Sequence, residues 1–223
     1  MQQEALFRKL SATIISLQKQ KEKPLRIAVN GIEGTGKTTF VLKFCAYLQA
    51  LNLNAISISI DGFHYNKKHR YQQGRSSAKG YYEESYDEKS FVTKVLVASQ
   101  GKMPSYVTAT HDLASDAYLD LEPIKISSKA ILITDGAYLL KPIFLEHWDL
   151  KIYLHANFEI AMERGANRDK ETLGSYELAK EKFLQRYHAA SKMYLEICQP
   201  KENADWVIDA NDLENYKLLK TTL

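Results

Sequence analysis

Gly31-Ile32-Glu33-Gly34-Thr35-Gly36-Lys37-Thr38 follows the apolar run Leu25 to Val29 and leads into a helical pattern through Phe40, Phe44, Tyr47 and Leu48. The stretch fits G-x-x-x-x-G-K-[ST], and it lies between a strand pattern and a helix pattern, as its mechanism requires. Each residue type has a chemical reason. Gly31, Gly34 and Gly36 let the backbone curl until its N–H groups converge on a phosphate, which a Cβ would obstruct. The helix that follows adds the positive end of its dipole. Lys37 is spaced to reach the β- and γ-phosphate oxygens of a nucleoside triphosphate, and the Thr38 hydroxyl to ligate Mg²⁺. Gly31, Glu33, Gly34, Thr35, Gly36, Lys37, Thr38 and Thr39 together form the expected site for ATP with Mg²⁺. The plain alternative is a glycine-rich strand-to-helix turn without a ligand.

The metal needs a second anchor from a neighbouring strand. Ala130 to Thr134 is a near-continuous apolar run that reads as a central parallel strand. It ends at Asp135, the candidate second metal ligand, although a lone Asp there also serves as a turn former. Ala55 to Ile60 alternates Ile and Ser and reads as another strand. Leu150 to Leu154 and Trp206 to Ile208 read as two more, with a minor one over Ile124 to Ile126. Leu6, Leu10, Ile14 and Leu17 open an amphipathic helix within residues 1–23, stopped by Pro24. Further helices are predicted over Phe91 to Ala98, Phe158 to Arg168, Tyr176 to Ile197 and Asp212 to Leu219. From Asp61 to about Asp87 the chain is polar and aromatic without a period, which reads as an ordered functional loop with at most short helical pieces. Strands alternating with helices imply an α/β fold, a mostly parallel sheet with helices on both faces, in one domain over residues 1–223.

Bulk properties exclude several classes. The 223 residues are 45% hydrophobic and carry a net charge of +3 with both signs interspersed, so no basic footprint points to nucleic acid. No apolar run reaches the roughly 18 residues of a membrane span. Met1 to Lys23 has no apolar core of a signal peptide, so a cytoplasmic location is expected. Cys45 and Cys198 lie far apart in helical patterns and read as reduced thiols. Homo-oligomer formation stays open at this stage.

No Asn-Lys-x-Asp is present to read guanine, and the chain is short for most ATPase cores. What remains is Asp61, in Ser59-Ile60-Asp61-Gly62-Phe63-His64-Tyr65, directly after the second strand pattern. A kinase for a hydroxyl acceptor needs such a carboxylate to orient the alcohol and accept its proton.

With these residues in place, the sequence resembles the uridine kinase branch of P-loop kinases, which also includes phosphoribulokinase, bacterial pantothenate kinase and nicotinamide riboside kinase. The resemblance runs from about Leu25 to Asp209. It is carried by GIEGTGKTT from Gly31, IDGFHY from Ile60, Tyr86-Asp87 and Pro104-Ser-Tyr106 with His111 five residues on. It continues through Ile131 to Gly136, Trp148 to Leu154, Arg164, Arg168-Asp169, Arg186-Tyr187 and ADWVID from Ala204. The resemblance implies a P-loop NTPase kinase fold with Asp61 as catalytic base. It implies that Tyr65, Tyr106 and His111, with His64 beside them, line a pocket for a small-molecule acceptor. It implies that Arg164 and Arg168 begin a short lid, about residues 164–176, whose arginines clamp the transferring phosphate. The expected activity is phosphorylation of the 5′-hydroxyl of uridine or cytidine. The alternatives are another small alcohol, such as pantothenate, a sugar or nicotinamide riboside, or a nucleotide-binding regulatory protein. Several positions depart from the nucleoside kinase pattern: Gly62-Phe63-His64 follows Asp61, the family's ribose-binding acid a few positions before Tyr86-Asp87 has no counterpart where Tyr81-Tyr82 stand, and Val107 follows Tyr106.

Overall fold

The structure, a computed structural model, describes residues 2–222, with side chains from Gln3 onward. The chain opens with α1 (Gln2–Lys19), β1 (Leu25–Asn30), α2 (Lys37–Ala50) and β2 (Ala55–Ser59). A 3₁₀ turn, Ile60–Phe63, leads into the short helices α3 (Lys67–Arg70), α4 (Ala78–Glu84) and α5 (Glu88–Phe91). Four two-residue strands follow: β3 (Ser105–Tyr106), β4 (His111–Asp112), β5 (Ala117–Tyr118) and β6 (Ile124–Lys125). Then come β7 (Ile131–Gly136), α6 (Pro142–Leu145), β8 (Leu150–His155), α7 (Phe158–Leu173) and α8 (Tyr176–Lys182). A π-helical turn, Phe183–Tyr187, joins α8 to α9 (His188–Cys198), followed by α10 (Pro200–Asn203), β9 (Trp206–Asp209) and β10 (Lys217–Thr221).

Six strands form the main sheet in the order β10-β9-β8-β1-β7-β2. Every neighbouring pair is parallel except β9 with β10. β1 and β7 are buried at every residue, which is why both read as unbroken apolar runs rather than alternating ones. Alternate side chains serve opposite faces. Ile27, Val29, Ile131 and Ile133 pack with α1 and α2 through Phe7, Phe40 and Phe44. Ala28, Leu132 and Tyr153 face the other layer, with Phe63, Tyr86, Phe91, Tyr138 and Tyr194. No helix of the described residues is long and apolar enough to cross a membrane.

The aperiodic stretch after Asp61 is ordered by side-chain caps. Asn66 accepts from His69 N, Ser77 from Gly80 N and Asp87 from Ser90 N, so each helix starts on its own cap and stays short. The helix expected over Asp212 to Leu219 is a correction. Asp212 instead accepts from the backbone N–H of Glu214 and the side-chain amide of Asn215, which closes a turn. Such local bonds compete with helix formation. The chain then returns as β10, an antiparallel edge strand with Lys217 and Lys220. Both cysteines are free and buried.

Candidate active site

The loop between β1 and α2 is shaped by its neighbours as much as by any ligand. Gly34 and Gly36 sit at φ 83 and 93, a region that disfavours any Cβ. A Cβ on Gly34 would stand 1.9 Å from the Ala161 carbonyl oxygen of α7, and one on Gly31 would stand 2.7 Å from the Leu154 carbonyl oxygen of β8. Gly36 is the N-cap of α2 and offers no side-chain cap, so the first N–H groups of that helix are left for a ligand. Lys37 Nζ and the Thr35 hydroxyl both donate to the Ile32 carbonyl, at 2.9 and 2.7 Å. Glu33 is held twice: Tyr81 donates its hydroxyl to the carboxylate at 2.8 Å, and His188 Nε2 lies 3.0 Å from the carbonyl.

Because β7 pairs in parallel with β1, Asp135 stands opposite Val29, one turn of chain below the loop. The Thr38 hydroxyl donates to Asp135 Oδ2 at 2.6 Å. Asp135 is 4% exposed. Burial pushes its pKa up, the Thr38 bond and the Lys37 charge pull it down, and the Asp61 charge adds to the rise. A hydroxyl and a carboxylate beside an uncapped helix start are hard oxygen donors of the kind Mg²⁺ takes, so this pair fits that ion.

A cavity of about 450 Å³ joins the two halves of the site; its walls include Lys37, Thr38, Thr39, Asp61, Asp135 and Arg168. The 3₁₀ turn after β2 carries Asp61 into it, with the side chain 60% exposed. Tyr86 donates its hydroxyl to Asp61 Oδ1 at 3.0 Å, and burial followed by the Asp61 charge holds that phenol well above its ordinary pKa. His64 stacks on Tyr86 with centroids 4.3 Å apart, and burial lowers its pKa. Its Nδ1 lies 2.8 Å from the Ser85 carbonyl, which can only accept, so Nδ1 carries the proton. Neutral His64 therefore presents a bare Nε2 to Asp61 Oδ1, 3.7 Å away, and donates nothing to it.

The remaining residues singled out in the sequence take several places. Arg164 and Arg168 share a face of α7 and diverge. Arg164 donates to the Ala210 and Asn211 carbonyls at 2.7 and 2.5 Å, tying down the turn that brings Leu213 to the cavity wall. Arg168 holds Asp169 through two bonds of 2.7 and 3.0 Å at the rim. Tyr65 bonds Asp87 at 3.4 Å and stacks on His69. Tyr106 is buried with Tyr86 and Phe91. The His111 ring is fully buried, with Nε2 3.2 Å from Asp116 and Tyr118 against its edge. Tyr65, Tyr106 and His111 are not cavity walls, and neither are Gly31 or Thr35. Tyr86, Tyr81 and Leu213, in contrast, bear on the site without a sequence signal beyond the Tyr86-Asp87 pair.

A mostly parallel sheet with a phosphate-type loop at the end of its central strand, Asp135 near the end of the neighbouring strand β7 and Asp61 in the turn after β2 defines a P-loop kinase. The chain belongs to the phosphoribulokinase/uridine kinase family, whose model matches residues 26–214. It is similar to a solved structure described as a possible uridine kinase from Bacillus stearothermophilus, with TM-score 0.71 and 19% identity over 93% of this chain and 99% of that one. D-glycerate 3-kinase from Cryptococcus neoformans superposes with TM-score 0.61 and 10% identity over 96% and 99% of the two chains. Phosphoribulokinase from Rhodobacter spheroides gives 0.58 and 18% over 84% and 70%. At these identities the likeness is one of fold. Comparison with curated proteins by sequence finds no match.

Proposed function

We propose that the protein transfers the γ-phosphoryl group of ATP, bound with Mg²⁺, to a hydroxyl of a small metabolite. The observation that carries this reading is the place of Asp61. Its carboxylate faces the same cavity as Lys37, Thr38, Asp135 and Arg168, and among the described residues only Oδ1 is hydrogen-bonded, by Tyr86. A pure nucleotide binder has no use for an oriented carboxylate there.

The residues divide the work. The α2 N-terminus and the loop amides hold the phosphates, and Lys37 leaves the Ile32 carbonyl to meet the γ-phosphate oxygens. Thr38 and Asp135 would hold Mg²⁺, which would supply positive charge against the phosphate oxygens. Tyr86 orients Asp61, whose free oxygen accepts the hydroxyl proton of the acceptor as its oxygen reaches phosphorus. Arg168 stands at the rim, where a small swing away from Asp169 turns it to the transferring group. The whole chain serves as one catalytic domain, with the α7–α8 hairpin as its short lid.

The acceptor is best described as a small alcohol. Uridine or cytidine is supported by the sequence resemblance, but the ring pocket that reading needs would use Tyr106 and His111, both buried behind the cavity wall. A coupled ADP-release assay with a panel of alcohols tests the proposal. ADP should appear only when an acceptor is present, and steady hydrolysis of ATP without one would overturn the kinase reading.

A further inference from the structure

A second cavity, about 350 Å³, opens between the Tyr71–Ser76 turn and the junction of α8 with α9. Tyr71, Arg75, Ser76, Lys182, Gln185 and Arg186 line it. The π-helical turn Phe183–Tyr187 sets Arg186 inward, where it is 3% exposed. Its guanidinium lies 4.8 Å from the Tyr71 ring centroid and 5.2 Å from that of Tyr81. Two of its nitrogens donate to the backbone carbonyls of Arg75 and Arg70.

The charge balance of this pocket is one-sided. Among the described residues Arg75, Lys182 and Arg186 form no ion pair with a carboxylate. Arg70, next to them, pairs with Asp116 at 3.6 Å and keeps a buried Nε without a hydrogen-bond partner. The acid on the wall, Glu181, accepts from the Gln185 amide. Burial is the largest cause lowering the pKa of Lys182, and Arg186 and Arg70 add to it against Tyr71 and Asp169. A guanidinium offers five N–H groups, and carbonyls take only part of that supply here. A buried cation with spare donors and no anion is costly, and a carboxylate or phosphate matches its planar fork.

Side-chain contacts link the pocket to the reaction centre. Arg186 lies against Tyr81, whose hydroxyl bonds Glu33 in the phosphate loop. On the other side Asp169, which acts on Lys182, is the partner of Arg168 at the cavity rim.

We propose that the Tyr71–Arg75–Lys182–Arg186 pocket binds an anionic group of the acceptor, a carboxylate or a phosphate, so that the phosphorylated hydroxyl belongs to a small anionic metabolite. This rests on the kinase reading and narrows its substrate class. Arg186 is built into the fold, so the probe is the pair nearer the surface, exposed Arg75 and half-buried Lys182, as Arg75→Gln with Lys182→Gln.

Two measurements separate the claims. In the first, inorganic phosphate is titrated by calorimetry into protein whose nucleotide site is filled with a non-hydrolysable ATP analogue and Mg²⁺. Wild type should bind, and the double variant should bind about tenfold or more weakly, as expected for losing charge-assisted hydrogen bonds. Equal binding, or none to either protein, overturns the pocket. In the second, ADP release is followed with hydroxy acids, sugar phosphates and neutral nucleosides or sugars. Anionic alcohols should be the acceptors, with hydroxy acids or sugar phosphates telling carboxylate from phosphate. The double variant should raise their KM about tenfold while kcat moves far less. Turnover of neutral acceptors alone, with KM unmoved in the variant, overturns the inference and leaves the kinase reading standing. ADP release that never depends on an acceptor overturns the kinase reading and the acceptor claim together, while the phosphate titration still decides the pocket.

Discussion

The phosphate end of the cavity draws its walls from the short stretch Glu33 to Thr39, Thr35 excepted, plus Asp135 at the end of one adjacent strand, and the uncapped start of α2 adds backbone N–H groups. The acceptor end is assembled from side chains far apart in sequence: Asp61 meets Tyr86 across 25 residues, and Arg186 meets the Arg75 carbonyl across 111. A backbone-built site is specified by which residues are glycine and where a helix begins. A side-chain-built site is specified by tertiary packing, so its more exposed members, such as Asp61 and Arg75, can be changed one at a time, while buried Arg186 stays tied into the fold. The two ends should therefore fail in different ways.

Asp61→Asn gives the largest expected effect. It keeps size and the Tyr86 contact but removes the proton acceptor, so kcat should fall roughly 10²- to 10⁴-fold. Affinity for the ATP–magnesium complex, measured by calorimetry, should hardly change. If that affinity collapsed and turnover of bound substrate survived, the two ends would not be separable as described. Lys37→Ala comes next, with a loss on the order of 10²- to 10³-fold in kcat, comparable to removing one preorganised electrostatic donor. An unimpaired variant would remove the phosphate end from the reaction altogether.

Gly34→Ala probes the backbone end through stability. The added methyl group meets the Ala161 carbonyl oxygen at 1.9 Å, from a φ of 83 that itself costs roughly 1–2 kcal/mol. The Tm should drop by at least ~2–4 °C and nucleotide binding should weaken with it. A loss of turnover alone, at unchanged Tm, would contradict the close fit of α7 on the loop. Tyr86→Phe is the milder counterpart at the acceptor end. Deleting the hydrogen bond to the charged Asp61 carboxylate should lower kcat by about 12- to 150-fold at most, with Tm little altered.

The smallest effect expected is on the pH dependence of stability. Burial lowers the pKa of His64, His155 and His188. The unfolded chain takes up these protons near the ordinary pH of about 6.5, and the folded chain does so only lower. Stability from these residues is therefore fully present above that pH and falls as acid is added below it. Thermal melts between pH 7 and 5 should show a declining Tm, and replacing His64 and His188 with Gln should flatten the decline. His64 serves the acceptor end and His188 the phosphate loop, so the single variants show which end loosens first.

Legibility in the sequence followed the same division. β1 and β7 were readable because burial on both faces leaves only apolar residues, and the phosphate loop because its geometry admits few residue types. The stretch from Asp61 to Asp87 was readable as an ordered, aperiodic segment, since its helices are only one or two turns long and are set by local caps. Where Arg164 sits was readable as a helix face, but not its partners, which are carbonyls 46 and 47 residues away. The burial of Tyr106 and His111 was equally hidden. An aromatic or a histidine in a polar segment looks the same whether it faces a ligand or a neighbour such as Asp116. The turn at Asp212 escaped because its side-chain bonds, not its periodicity, decide the backbone there.

The hydrogen bond from Tyr81 to Glu33 has a thermodynamic consequence. The Tyr81 ring lies against Arg186 of the second pocket, and its hydroxyl bonds Glu33 of the phosphate loop, so one side chain joins the two ends. Ordering either end steadies the other, and such linkage is reciprocal: nucleotide should sharpen affinity for the acceptor by the same factor that the acceptor sharpens affinity for nucleotide. The two substrates are then expected to bind with synergy, seen as an acceptor Kd that falls when the nucleotide analogue is present. Tyr81→Phe, which keeps the ring under Arg186 and removes only the link, should make the two binding events independent.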